Sequence, residues 1–199
     1  RNTASRPGTF LRGSFIRKAA LDFALKTFAP KLSNTTHFLL TGCSAGGLAT
    51  FLHTTSVFAW ARANLPNLAK LRAVPLSGFF LNAQNAHGSF VYGTLMEGMF
   101  KMANAIADAD PKCLSKLPIE MHSKCVFAEV VYNYQTEATF VMNSQMDLWQ
   151  TQCILLSNFS GGRSWYDFGF PHCVALNTIS ACIEMPPALQ KAADGPWGI

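Results

Sequence analysis

Residues 37–53 read HFLLTGCSAGGLATFLH. A short apolar run from His37 to Leu40 meets a knot of small residues and resumes as LATFLH, the pattern of a strand that turns abruptly into a helix. Gly42, Ser44 and Gly46 satisfy Gly-x-Ser-x-Gly. The physics of that pattern is steric: a serine on a strained turn exposes its hydroxyl, and flanking glycines let neighbouring backbone approach without Cβ clashes. The Ala45 amide, at the start of the following helix, is placed to stabilise a developing oxyanion, helped by the helix dipole. Cys43 is the rival nucleophile, but it lies on the strand side of the turn and is expected as a buried free thiol, like Cys153.

Working outward, the spacing of Phe15, Ala19 and Phe23 predicts an amphipathic helix from about Arg12 to Phe28, ended by Pro30. THFLLTG reads as a short buried strand, and 46–63 as a helix stopped at Asn64-Leu65-Pro66. LRAVPLSGFFL reads as a strand interrupted by Pro75 and followed by a turn at Gly78. Helices are expected over 92–107, ended by Asp110-Pro111, and over 120–134. A strand over 139–143 and a helix from Leu148 follow. This alternation is that of an α/β protein with a largely parallel sheet, which puts Ser44 at the carboxyl edge where such folds place their sites.

A serine nucleophile of this kind needs an acid after a later strand and then a histidine. Asp147 follows the 139–143 strand and precedes LWQ, so position favours it, and a helix N-cap is its bland alternative. Asp108, Asp110 and Asp167 lack a preceding strand, and Asp22 lies in a helix before the nucleophile. The base is the difficulty. His172 is the sole histidine after Asp147; His37 is at the wrong end of its strand, His53 is two turns down the helix, His87 follows the Gly78 turn, and His122 is expected on a surface helix.

The 199 residues, 49% hydrophobic and 14% charged with a mean hydropathy of +0.16, suffice for one sizeable core and exclude a disordered chain. One domain over 1–199 is expected, incomplete at both ends because it starts at Arg1 without Met. No apolar run is long enough for a transmembrane helix. The net charge of +5 comes from scattered basic residues, read as a solvated surface with no nucleic-acid partner. Cys113 with Cys125, and Cys173 with Cys182, are spaced to close short disulfide loops. Zinc is the rival reading, but no Cys-x-x-Cys or His-x3-His spacing accompanies them, so no metal is expected. Sequons at Asn34 and Asn158, with the even cysteine count, favour a secreted protein.

GCSAGGLATFLH, SGFFLN, CLSKLPIEMHSKC and NSQMDLWQTQ, in this order, resemble the pectin acetylesterase family, which includes the Notum carboxylesterases. FLRGSFIRKAALDFAL before them and SWYDFGFPHCVALNTISAC after them extend the likeness over about 10–182. The resemblance implies an α/β-hydrolase-like fold, a mostly parallel sheet with helices on both faces, and ester hydrolysis with no cofactor. It also implies a secreted or cell-wall setting and an acetylated polysaccharide substrate. Residue by residue, Ser44 becomes the nucleophile, Asp147 the acid and Ala45 an oxyanion-hole amide. The wording of SGFFLN and DLWQTQ is closer to the plant-type members than to Notum, whose substrate is a fatty acyl group on a signalling protein.

Three departures follow. The family's histidine lies in a segment after the pair matched by Cys173 and Cys182, and its glycine-rich oxyanion loop lies upstream; neither falls within 1–199. Leu76 and Ser77 occupy the region where the family usually carries an acid before Gly-Phe-Phe. An inactive structural or binding glycoprotein of the family, and a Notum-like lipid deacylase, are the alternative expectations.

Overall fold

The computed structural model describes residues 11–155. His172, Cys173, Cys182 and the Asn158 sequon therefore lie outside the described residues. The elements are α1 (Gly13–Leu32), β1 (His37–Cys43), α2 (Ala45–Asn64), β2 (Lys70–Leu76), α3 (Val91–Met102), α4 (Pro111–Lys116), α5 (Ala128–Val131) and α6 (Leu148–Gln150), joined by 3-10 turns and loops.

β1 and β2 pair in parallel, from His37 opposite Lys70 to Cys43 opposite Leu76. A third extended segment lies along the other edge of β2 and touches it at two parallel bridges, Ala73 with Thr139 and Leu76 with Met142. The fold is thus a mixed helix and sheet structure with a small parallel sheet, and α2 packs across both strands. β2 is not interrupted at Pro75 as the sequence predicts. A residue's N–H and C=O point to the same side of a strand, and the Pro75 carbonyl accepts from the Met142 amide, so its missing donor faces the 139–142 segment. That is where pairing thins to bridges. The β1 side keeps full register.

Two apolar clusters hold the elements. Leu48 and Phe51 of α2 join Phe80, Tyr92, Met96, Phe127 and Ile154. Val57 and Phe58, further along α2, meet Ala73 with Phe38, Leu40 and Leu71 of the sheet and Leu21 of α1. Ring contacts such as Phe38 edge-on to Phe58 and Phe80 against Trp149, 4.9 Å between centroids, add directional packing. Arg62 donates two hydrogen bonds to the Glu137 carboxylate, at 2.9 and 2.8 Å, and so ties the end of α2 to the approach of the third segment.

Several expectations change. α1 runs two residues past Pro30, because a proline in the last turn forfeits a single intrahelical bond, and Ser33 closes the end by donating to the Ala29 and Pro30 carbonyls. Much of its apolar face is not covered by the described residues: Phe15, Ile16, Phe23 and Phe28 are exposed, while Leu21 packs against the sheet cluster. β1 is not a buried strand but alternates, with Leu39 exposed. α3 stops at Met102 as Asn104 turns left-handed, and Asp110-Pro111 starts a helix rather than ending one. The predicted helix over 120–134 is a 3-10 stretch, the short α5 and a second 3-10 turn.

Cys113 and Cys125 form a disulfide with Cα atoms 6.0 Å apart, closing a loop that contributes about 3 kcal/mol in the chain-entropy account. His122 is half-buried, on a 3-10 stretch rather than a surface helix. It sits inside that loop and its Nε2 donates to the Leu114 and Leu117 carbonyls. Cys43 and Cys153 are both disulfide-bonded, which overturns the expectation of buried free thiols; both are also only half-buried. Among the described residues no cysteine is free, and no helix is long and apolar enough to cross a membrane.

Candidate active site

Ser44 stands between β1 and α2 with φ 56° and ψ −120°, a left-handed backbone that costs a non-glycine residue about 1–3 kcal/mol. The surroundings impose it. The Ser44 amide donates to the Leu76 carbonyl at 2.9 Å, the Leu48 amide returns to the Ser44 carbonyl at 3.0 Å, and Cys43 is locked in register with Leu76. Gly42 is required by sterics, since a Cβ there would lie 2.4 Å from the Gly46 carbonyl oxygen. Ser44 occupies the N-cap position of α2, where a serine hydroxyl ordinarily accepts from the backbone of the first turn. Here it makes no cap bond, and the residue is exposed. Ala45 is the first residue of α2, so its N–H has no intrahelical acceptor and lies at the positive end of the helix dipole.

The second half of the site follows the third segment. Asp147 caps α6, its Oδ1 accepting from the Gln150 amide at 2.8 Å, so the bland reading as an N-cap is part of the structure. That bond occupies one carboxylate oxygen; no hydrogen bond to Oδ2 is found among the described residues. Asp147 and Ser44 both leave the carboxyl end of the sheet, with β2 between the strand of one and the bridging segment of the other.

What joins the two turns is the stretch between Leu76 and Leu81, which sequence reasoning treated only as a turn. Ser77 takes φ 47° and its amide donates to the Met142 carbonyl at 2.7 Å. Gly78 presses backbone to backbone on Gly47, where a Cβ on either glycine would fall within 3 Å of the other's main chain. The Phe79 amide donates to Asn143 Oδ1 at 3.1 Å, and the Leu81 amide to Gln150 Oε1 at 3.0 Å. Gly47, Gly78, Asn143 and Gln150 are therefore the residues missed; their signal was their presence inside GCSAGGLATFLH, SGFFLN and NSQMDLWQTQ, whose mutual contact no spacing reveals.

The described histidines fall elsewhere. His37 begins β1 at the amino end, 2.8 Å from the Thr36 hydroxyl. His53 packs on α2 with its Nδ1 buried and without a hydrogen-bond partner; burial, assisted by the nearby Arg17 guanidinium and opposed by Asp108, lowers its pKa to about 4. His87 is exposed in a loop turned by Gly88. Asn34 is exposed between α1 and β1. No cluster of potential metal ligands occurs among the described residues.

A family model described as Pectinacetylesterase matches residues 4–173. The chain is 29% identical over 157 residues to pectin acetylesterase 5 of Arabidopsis thaliana, covering 78% of this chain and 34% of that protein. It is 29% identical over 143 residues to pectin acetylesterase 4 of the same plant, covering 72% and 32%. Against its pectin acetylesterase 7 it is 27% identical over 157 residues, covering 78% and 38%. The chain spans about a third of the length of these relatives.

Proposed function

Because the chain belongs to the pectinacetylesterase family, we propose that it carries the nucleophile and the acid of a serine carboxylesterase that removes acetyl groups from pectin-like polysaccharide. The observation that carries the reading is Ser44 itself, held in a left-handed conformation at a strand-to-helix turn while its hydroxyl is left unspent on capping. Ser77 also takes a positive φ in a turn; what sets Ser44 apart is that its strained turn opens a helix whose first N–H has no intrahelical acceptor, while its own hydroxyl makes no cap bond.

In this reading the Ser44 Oγ attacks the acetyl carbon as a histidine takes its proton. The tetrahedral oxyanion is met by the Ala45 N–H and the α2 dipole. The sugar hydroxyl leaves with the proton returned by the histidine, and water then releases acetate from the acyl-enzyme. Asp147, with Oδ1 fixed by the Gln150 amide, offers its other oxygen to orient and stabilise the imidazolium. The family likeness assigns that histidine, and a second oxyanion donor, to segments outside 1–199. The fold that completes this arrangement is α/β-hydrolase-like. Disulfide bonding of Cys43, Cys113, Cys125 and Cys153 supports a secreted protein, acting at the cell wall where its substrate is found.

The test is Ser44→Ala in the full-length gene product, read by hydrolysis of a chromogenic acetate ester and by labelling with a fluorophosphonate probe. Both are expected to vanish, with the fold retained by circular dichroism. Hydrolysis unchanged by Ser44→Ala overturns the assignment. A wild-type protein that neither hydrolyses nor labels favours the inactive glycoprotein instead.

A further inference from the structure

We infer that Gln150 is a positioning residue that sets the acid turn in register with the nucleophile turn, an inference that rests on the reading of Ser44 and Asp147 given above. Gln150 is 6% exposed and bonds in two directions. Its backbone N–H holds Asp147 Oδ1 at 2.8 Å, and its side-chain Oε1 accepts from the Leu81 amide at 3.0 Å. Leu81 ends the stretch that begins at Leu76, whose carbonyl accepts from the Ser44 amide. Midway, Gly78 lies against the Gly47 backbone in the first turn of α2.

A continuous path thus runs from Ser44 by a backbone hydrogen bond to Leu76, along the chain past Gly78 to Leu81, and by two side-chain hydrogen bonds through Gln150 to Asp147. Asn143 fastens the same stretch at Phe79, and Trp149 packs at a tilt against Phe80, so the stretch is gripped from the acid side at three successive residues. An acid that orients an imidazole must be placed to well under an ångström, because a 1 Å misplacement costs on the order of 100-fold in rate. The Gln150 side chain hydrogen-bonds to neither Ser44 nor Asp147, and acts on the chemistry through the backbone it holds.

Replacing Gln150 by Met keeps the volume and removes the acceptor; Glu keeps an acceptor for the Leu81 N–H. In the full-length gene product, Gln150→Met is expected to lower kcat for a chromogenic acetate ester about 10- to 100-fold with KM within about twofold. Gln150→Glu should stay within about fivefold of wild type, retaining the bond. In an Asp147→Asn background, Gln150→Met should add no further loss, since residues acting as a unit are non-additive. A purely structural glutamine predicts the opposite, a loss that multiplies in both backgrounds. Wild-type kcat in Gln150→Met, a multiplied loss in the double variant, or equal losses for Met and Glu each overturn the inference. Should Gln150→Met fail to fold, Gln150→Glu decides, and a loss there as large as that of Asp147→Asn overturns it. Full activity in Asp147→Asn overturns the underlying reading of the acid instead, which keeps the two failures apart.

Discussion

At Gly46 an added Cβ meets nothing within 4 Å, whereas at Gly47 it lands 2.4 Å from the Leu76 carbonyl oxygen and 2.9 Å from the Gly78 Cα. The glycine inside the Gly-x-Ser-x-Gly pattern therefore needs no room for itself; it is Gly42 that must lack a side chain, to pass the Gly46 carbonyl. The glycine one place beyond the pattern is the one pinned between strand and turn. Gly46→Ala is expected to leave stability unchanged or raise it by up to about 1 kcal/mol, as alanine does in a helix. Gly47→Ala must push backbone rather than a flexible side chain and should cost at least about 2 kcal/mol. Urea unfolding of the two variants measures the contrast, and shifts of equal size and sign would contradict it.

Between elements, Asp110 does for α4 what Ser44 declines to do for α2. Its Oδ1 accepts from the Lys112 and Cys113 amides at 2.8 and 3.1 Å, and its Oδ2 from the Thr55 hydroxyl at 2.5 Å, joining α2 to the disulfide-bearing α4. Asp110→Ala strips a cap and leaves a part-buried hydroxyl unpaired, with an expected cost of about 3 kcal/mol. Adding Thr55→Val should recover part of that loss, because the orphaned donor goes with it. A double variant whose loss equals the sum of the two single losses would refute the link. Such contacts mark the limit of what the chain reveals by itself. The Ser44 turn and the extent of α2 were legible because each is fixed within a few residues by glycines, periodicity or a cap, whereas the strand expected over 139–143 is an extended stretch that meets β2 only at two bridges. The grip of Asn143 and Gln150 on 79–81 joins positions more than 60 apart, and the exposed face of α1 depends on what covers it, so neither leaves a local mark. Asp110-Pro111 was misread for a related reason: the pair punctuates a helix at either end, and only the two amides it receives show which.

On the scale of the whole molecule, acid stability turns on the place where α1, α2 and the 3-10 turn before α4 converge. Asp108 accepts from the Ser14 hydroxyl at 2.6 Å and pairs with Arg17 at 3.5 Å, while Arg17 also donates to Ser56. His53 lies beside this group, half-buried and uncharged, with its pKa lowered from 6.5 to about 4. The unfolded chain therefore binds a proton between those values that the folded chain refuses. Stability from this group is complete above pH 6.5 and falls with a slope of up to about 1.4 kcal/mol per pH unit on acidification, reaching a loss of about 3 kcal/mol near pH 4. The carboxylate paired with Arg62 contributes in the same direction, but Glu137 has its pKa held below the usual carboxylate range, so its loss belongs to lower pH. His53→Leu removes the titrating group while filling the same space. Unfolding free energies measured from pH 7.5 to 4.5 should decline for the wild type and stay nearly flat for the variant. Parallel curves would show that His53 takes up its proton without disturbing the packing of α1 on α2, and that the acid sensitivity of the fold arises elsewhere.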